Sequence, residues 1–299
     1  MKILNFGSLN LDLVYQMPHF IRAGETLSST SFCKNVGGKG LNQSIALAQA
    51  GNEVYHACKI GAEGGFLVEK LREKGVDTRY ILPGEGSCGH AVIQVDPQGQ
   101  NCILLYGGTN QQMTESFIDS VLQDFGPGDV LVLQNELNLT GYMIEKARER
   151  GMDVAFNAAP FDAKIATYPL EKLSYLVLNE VEGAALADTD DEDAIPGILR
   201  RKYPDVNILL TLGKRGCVWY GADGSQVRGK AITVEAVDTT AAGDTHFGFF
   251  LRGILDGQTV EEALKLASVA SGIAVTRPGA ADSVPTYEEV VNSDYYKDL

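Results

Sequence analysis

Val237-Asp238-Thr239-Thr240-Ala241-Ala242-Gly243-Asp244-Thr245 is the stretch on which the reading of this chain turns. It follows a segment expected to be extended, residues 231–237. It opens an amphipathic helix in which Phe247, Phe250, Leu251 and Ile254 fall on one face, suited to packing on a sheet. Small residues at Ala241, Ala242 and Gly243 let backbone N–H groups come close to an anion, and a helix N-terminus adds favourable potential. Asp244 then sits in the first turn, able to accept a proton from a hydroxyl while those N–H groups stabilise charge on a transferred group. Taken alone, the spacing fits equally well a capping Asp beside close helix packing.

Outward from this turn, short apolar runs alternate with longer amphipathic segments, the pattern of a largely parallel sheet covered by helices. Strands are expected at 3–6, 130–134, 154–157, 176–178 and 208–212, apolar at nearly every position and so buried on both faces. Helices are expected at 41–50, 66–74, 140–150, 194–202, 247–255 and 260–274. Residues 90–96 and 101–106, joined by Pro97-Gln98-Gly99, read as a hairpin, and 27–32 looks extended. Together these pieces are expected to form a small β layer outside the main sheet. A second hairpin, 216–220 with 226–227, reads as an edge element. The fold class is α/β, and a single domain over 1–299 is expected. Polar residues recur just after the strands: Asn10, Asp12, Gln134, Glu136, Asn157, Asn179, Thr211, Gly213 and Asp238. In open α/β sheets ligands bind outside the carboxyl ends of the strands, so these residues should gather along one edge.

Gly37-Gly38-Lys39-Gly40 permits a tight, close-approaching backbone before a helix. It lacks the GxxxxGK[ST] spacing of a Walker A loop, and no GxGxxG follows the first strand. Asn179 and Glu182 lie three apart just past a strand, so one helical turn sets them on the same side. By themselves they also fit a capping Asn and a surface Glu. Thr211-Leu212-Gly213-Lys214-Arg215-Gly216 follows a buried strand, with glycines that let the backbone turn beneath a ligand.

The stretch Asp238–Thr245 resembles the C-terminal signature of the ribokinase-like sugar kinases, the phosphofructokinase-B family. Further resemblances follow in that family's order: Gly37–Gly40 with Asn42, Asn157-Ala158-Ala159-Pro160, Asn179-x-x-Glu182, Thr211–Gly216, and Ala274-Val275-Thr276-Arg277-Pro278-Gly279-Ala280. The resemblance implies a three-layer ribokinase-like fold with a small β lid from about 13–36 and 88–107, and phosphoryl transfer from ATP to a sugar hydroxyl. It implies Asp244 as the base, with Ala241, Ala242 and Gly243 forming an anion hole. Asn10, Asp12, Gly38, Lys39, Asn42 and Glu136 match the hydroxyl-binding set of ribokinases, which favours D-ribose. Asn179, Thr211, Gly213, Gly216, Gly243 and Ser268 would meet the nucleotide. Asn179 and Glu182 would organise Mg²⁺ through water. Asp238, Thr240, Ala274, Arg277, Gly279 and Ser283 would form a monovalent-cation site, for K⁺. A homodimer through the lid is also expected. Departures from the family pattern are Thr240 for an aliphatic residue, His246 for Phe, Ser268 for a polar ring or amide, and Ala158 for Pro. His246 reads as a packing or pocket-wall residue, turned away from Asp244. Fructokinase, 2-keto-3-deoxygluconate kinase and nucleoside kinase activities are the alternatives within the class, and a silent sugar or nucleotide sensor is the alternative outside it.

The composition agrees with a small-molecule enzyme. The chain has 299 residues, 44% hydrophobic and 21% charged, ordinary for a globular protein. Its net charge of −14 excludes nucleic acid as a natural partner, because phosphate backbones call for clustered Lys and Arg. Five cysteines without CxxC spacing point away from zinc and towards reduced thiols in a cytoplasmic protein. No apolar run approaches the ~20 residues of a membrane span.

Overall fold

The computed structural model describes residues 1–299. Its strands are β1 (Ile3–Phe6), β2 (Asn10–Gln16), β3 (Ser31–Gly37), β4 (Val54–Ile60), β5 (Asp77–Pro83), β6 (Gly89–Val95), β7 (Asn101–Tyr106), β8 (Val130–Gln134), β9 (Asp153–Asn157), β10 (Tyr175–Asn179), β11 (Asn207–Thr211), β12 (Cys217–Tyr220) and β13 (Gln226–Gly229). Nine form the main sheet, in the order β13-β12-β11-β10-β9-β8-β1-β4-β5. From β11 to β5 all neighbours are parallel, and β12 and β13 add an antiparallel edge. β1 is the switch point: the chain first builds β4 and β5 on one side of it, then β8 to β11 on the other. Right-handed crossovers running in opposite directions lay their helices on opposite faces, which makes three layers. On one face Lys39–Gln49, Ala242–Leu255 and Val260–Ala274 pack together; Glu115–Leu122 packs on Thr140–Glu149 on the other. Phe6, Phe156, Phe247, Phe249 and Phe250 are fully buried in one continuous core, each contributing about 1.5–3 kcal/mol. No helix is long and apolar enough to cross a membrane, and all five cysteines are free.

The small sheet has the order β3-β2-β6-β7, with β2 and β6 parallel and the outer pairs antiparallel. Its extended strand lies at Ser31–Gly37 rather than 27–32, because pairing with β2 runs from Asn10 opposite Gly37 to Gln16 opposite Ser31. β2 itself, β4 and β5 were not legible as strands, since polar residues such as Asp12, His56 and Arg79 interrupt their apolar runs. Residues 231–236 have no ladder partner; their backbone is held only near Val237, whose N–H donates to Val275 O at 2.8 Å. The helix after them begins at Ala242 and is buried on more than one face, including Phe249. It is wedged so closely against Lys39–Gln49 that a side chain at Gly248 would lie 2.6 Å from Ala46 Cβ.

Candidate active site

Register places Gln134 beside Asn157 and Asn179 beside Thr211, so four successive parallel strands end in polar side chains on one edge. The β1–β2 link, Gly7-Ser8, crosses the same edge, and the helix Lys39–Gln49 is pressed onto it. A Cβ on Gly40 would strike the Gly7–Ser8 backbone, and Gly38 adopts φ +97°, which side-chain-bearing residues rarely take. This close approach brings Lys39, Asn42 and Gln43 to the strand ends within one helical turn. Asp238 differs from the expectation, coming from a loop with no strand before it.

Hydrogen bonds bind this corner together. Ser8 Oγ donates to Glu136, Lys39 N–H donates to Glu136 Oε2 at 2.8 Å, and Gly40 N–H donates to Ser8 Oγ at 3.1 Å. Asn110 Nδ2 donates to Asn10 Oδ1 at 2.7 Å, while Asn10 Nδ2 reaches Glu136 Oε1 at 3.5 Å. Gly37 has no room for a Cβ because the Asp12 carboxylate occupies the space. Burial, with the charge of Glu136 beside it, pushes Asp12 up to about 6. A cavity of about 160 Å³ opens here, lined by Asn10, Tyr106, Asn110, Asn135, Glu136 and Pro160. A larger one, about 530 Å³, lies apart, among Pro196, Arg200, Arg215, Tyr220 and Arg228, and no expected site residue lines it. Chemistry rather than volume therefore locates the site.

Asp244 is buried in the first turn of Ala242–Leu255. Each of its carboxylate oxygens accepts one amide donor, Oδ1 from Gln43 Nε2 at 2.9 Å and Oδ2 from Asn42 Nδ2 at 3.3 Å. Asn42 Oδ1 is buried without a partner. Burial alone would lower Lys39, but Asp244, Glu136 and Glu182 outweigh it and hold its ammonium above the ordinary lysine range. Burial raises both Glu136 and Glu182, against the pull of their hydrogen bonds and Lys39. Ala241 sits at φ +60°, a left-handed conformation costing about 1–2 kcal/mol without glycine, and it turns the chain so that the helix starts at Ala242. Gly243 is exposed, and a Cβ there would meet nothing within 4 Å.

Residues 1–287 match the model of the pfkB family carbohydrate kinases. The chain belongs to that family. It is an ATP-dependent carbohydrate kinase. It is 32% identical to a ribokinase of Haemophilus influenzae over 95% of each chain, and 31% identical to a deoxyribokinase of Salmonella typhi over 97% of each. The solved structure of Arabidopsis thaliana ribokinase, complexed with ribose and ATP, superposes with a TM-score of 0.88 at 26% identity, covering 99% of this chain and 98% of that one.

In this pfkB kinase Asn179 and Glu182 form a reciprocal capping box: Glu182 N–H donates to Asn179 Oδ1 at 2.8 Å, and Asn179 N–H donates to Glu182 Oε2 at 2.9 Å. The structural and functional readings of this pair are thus compatible, since Glu182 is buried at the strand edge and not on the surface. Thr211 ends β11, and Gly213 and Gly216 both take positive φ around a short turn. At Gly216 a Cβ would strike Gly229 O. Ser268 is buried against Cys217. Burial alone would raise Asp238, yet Thr240 N–H at 2.9 Å, Thr240 Oγ1 at 2.6 Å and Gly279 N–H at 3.0 Å donate to it and hold it below the carboxylate range. The 238–240 and 274–283 turns are therefore tied together, with Ser283 buried and its hydroxyl given to Ala280 O at 2.8 Å. The Arg277 side chain turns away to Glu289 at 3.0 Å, leaving only its carbonyl for a cation. His246 is buried, and burial pushes it down to about 4, so its imidazole is neutral.

The pfkB motifs did not reveal Ser8, Asn110, Gln43 or Asn5. Gln43 had a usable signal, lying four residues after Lys39 on the same helical face. Asn110 had none. Gly243→Ala is expected to leave Tm unchanged or slightly higher, by up to about 1 kcal/mol of helix propensity, while lowering turnover through the methyl placed before the helix N-terminus. A melting curve beside an ADP-release assay checks both halves; unchanged turnover would overturn the expectation that Gly243 helps form an anion hole.

Proposed function

We propose that this kinase converts D-ribose and MgATP to D-ribose 5-phosphate and ADP. The carrying observation is the corner formed by Asn10, Asp12, Lys39, Asn42 and Glu136 at the strand edge shared with Asp244. Paired donors and acceptors suit a ring of hydroxyls, and the unpartnered Asn42 Oδ1 is ready to accept from one. The exocyclic hydroxyl gives its proton to Asp244 as its oxygen bonds the γ-phosphorus and the bond to ADP breaks. The N–H of Gly243 would stabilise charge on the moving group, joined by that of Ala242 once it leaves Thr239 O, to which it donates at 3.2 Å. Residues 1–299 act as one kinase domain, and the small sheet closes over the sugar as a lid. The ribose and ATP in the Arabidopsis complex support this reading. The deoxyribokinase likeness makes 2-deoxyribose the first competitor. A panel of ribose, 2-deoxyribose, fructose, 2-keto-3-deoxygluconate and nucleosides, assayed for ADP release, tests it; a higher kcat/KM for any other member overturns the choice of ribose.

Asp12, Glu136, Glu182 and Asp244 outnumber the one nearby cation, Lys39, so a nucleoside triphosphate is expected to enter with its own Mg²⁺. Glu182 and Asn179 fit water-mediated contact with it, since Mg²⁺ keeps several waters and needs few protein ligands. Asp238 has no cationic side chain among its partners, and the carbonyls of Thr240, Ala274, Arg277 and Gly279 and the Ser283 turn suit a monovalent cation. Turnover should rise with K⁺ at constant ionic strength, more than with Na⁺; equal rates in K⁺, Na⁺ and a bulky organic cation would discard the site. Phe32, Leu104 and Tyr106 are exposed on one face of the small sheet, Ile103 and Leu105 are exposed on the other, and β7 is an open edge. We expect it to be covered by a second copy. Light scattering that finds a monomer at micromolar concentration would refute the dimer. The free thiols fit the cytoplasm.

A further inference from the structure

Behind the strand edge a row of wholly buried polar side chains leads away from Asp244: Gln43, Gln134, Asn5, Ser44 and His56. We propose that Gln43 is a positioning residue that holds the Asp244 carboxylate in place, and that its own orientation is imposed by a buried relay through Gln134 and Asn5; this rests on the reading of Asp244 as the base.

The direction of every hydrogen bond in the row follows from its far end. Gly40 O can only accept, so the atom of Asn5 that lies 2.8 Å from it is the amide nitrogen. The same nitrogen donates to Ser44 Oγ at 2.8 Å, which leaves the Ser44 proton for His56 Nδ1 at 2.8 Å. His56 then carries its proton on Nε2 and donates to Gly7 O at 3.1 Å. Burial pushes His56 down to about 3, so it stays neutral and cannot reverse the row at physiological pH. On the other side, Asn5 Oδ1 must accept, and it does so from Gln134 Nε2 at 3.0 Å. Gln134 Nε2 also donates to Gln43 Oε1 at 2.7 Å, which turns the Gln43 amide nitrogen towards Asp244 Oδ1 at 2.9 Å.

Gln134 Oε1 is left buried without a partner. An isolated amide would turn to satisfy that oxygen, but here the turn would set it against two acceptors, Asn5 Oδ1 and Gln43 Oε1. The row gives up one hydrogen bond to keep its polarity, which in a low-dielectric interior is a costly concession. What it secures is a fixed donor on one oxygen of Asp244, leaving the other, bound more loosely by Asn42 at 3.3 Å, to meet the substrate hydroxyl.

The test is steady-state kinetics on Gln43→Met, Gln134→Met, the double variant and Asp244→Asn, each corrected for folded fraction by thermal melting. Methionine keeps the volume and removes the amide. Misplacing a base should lower kcat roughly 10–100-fold in both single variants, with KM for sugar and ATP within about twofold. Gln134 touches neither Asp244 nor the sugar corner, so an equal loss there, with the double variant no worse than Gln43→Met, reports the relay. Parental kcat in either folded single variant, additive losses, or a rise in KM at constant kcat would overturn it. Should Gln43→Met not fold, Gln134→Met alone decides by the same kcat and KM criterion. Turnover retained in Asp244→Asn would instead sink the base assignment itself, a distinguishable outcome.

Discussion

Asp244→Asn should lower kcat by roughly 10²–10⁴ while leaving the fold and ATP affinity nearly intact. The substitution preserves shape and removes the one acceptor at the helix start that can take a proton. Both oxygens of Asp244 receive amide donors, from Gln43 and Asn42, so an asparagine there must turn its own NH₂ towards one of them. That clash costs about 1 kcal/mol, and the lost negative charge relieves Glu136 and Glu182 but takes a partner from buried Lys39. Turnover by ADP release, nucleotide affinity by calorimetry and a melting curve separate the chemical loss from a structural one. A folded variant turning over like the parent would end the case for Asp244 as base.

Asp12→Ala should raise KM for ribose by about 10²-fold or more and leave KM for ATP within a few-fold, because it removes uniform sugar binding and not proton transfer. The pH dependence follows from the carboxyl lying at about 6 in the folded protein, against 3.8 for the free side chain. Below about 6 the folded protein holds Asp12 protonated and loses an acceptor for sugar hydroxyls, so KM for the sugar should rise on the acid side. The stability sign is the reverse of a paired acid. Between the two values the folded state binds the extra proton, so this group's contribution to stability falls as pH rises through that window. Asp12→Asn should therefore make the sugar-free protein more stable at pH 7, on the order of 1 kcal/mol after allowing for its partial exposure. Melting curves at pH 5 and pH 7 measure this. A ribose KM unchanged in Asp12→Ala would take Asp12 out of the sugar corner.

Much of the architecture was readable from residues alone. Buried parallel strands carry continuous apolar runs such as Val130–Gln134, and a long helix such as Val260–Ala274 announces itself by period and by its Thr259–Glu262 capping box. The Asp238–Thr245 turn showed its anion-binding character through small residues at a helix start. Less legible were β2, β4 and β5, whose polar residues break the apolar runs: Asp12 looks to the site, His56 is held between Ser44 and Gly7 O, and Arg79 turns back to Asp77.

Local patterns report periods of two and 3.6 residues, and through them the chain by itself determined its α/β class, its hairpins and the helix that presents Asp244. Only the tertiary structure decided what surrounds that aspartate. Gln43 meets it across 201 residues, Gln134 meets Gln43 across 91, and Asn5 meets Gln134 across 129. No spacing rule reaches that far. A buried amide finds its partner because leaving it unpaired costs about 1–3 kcal/mol, and that cost is felt only after the sheet has brought the strand ends together.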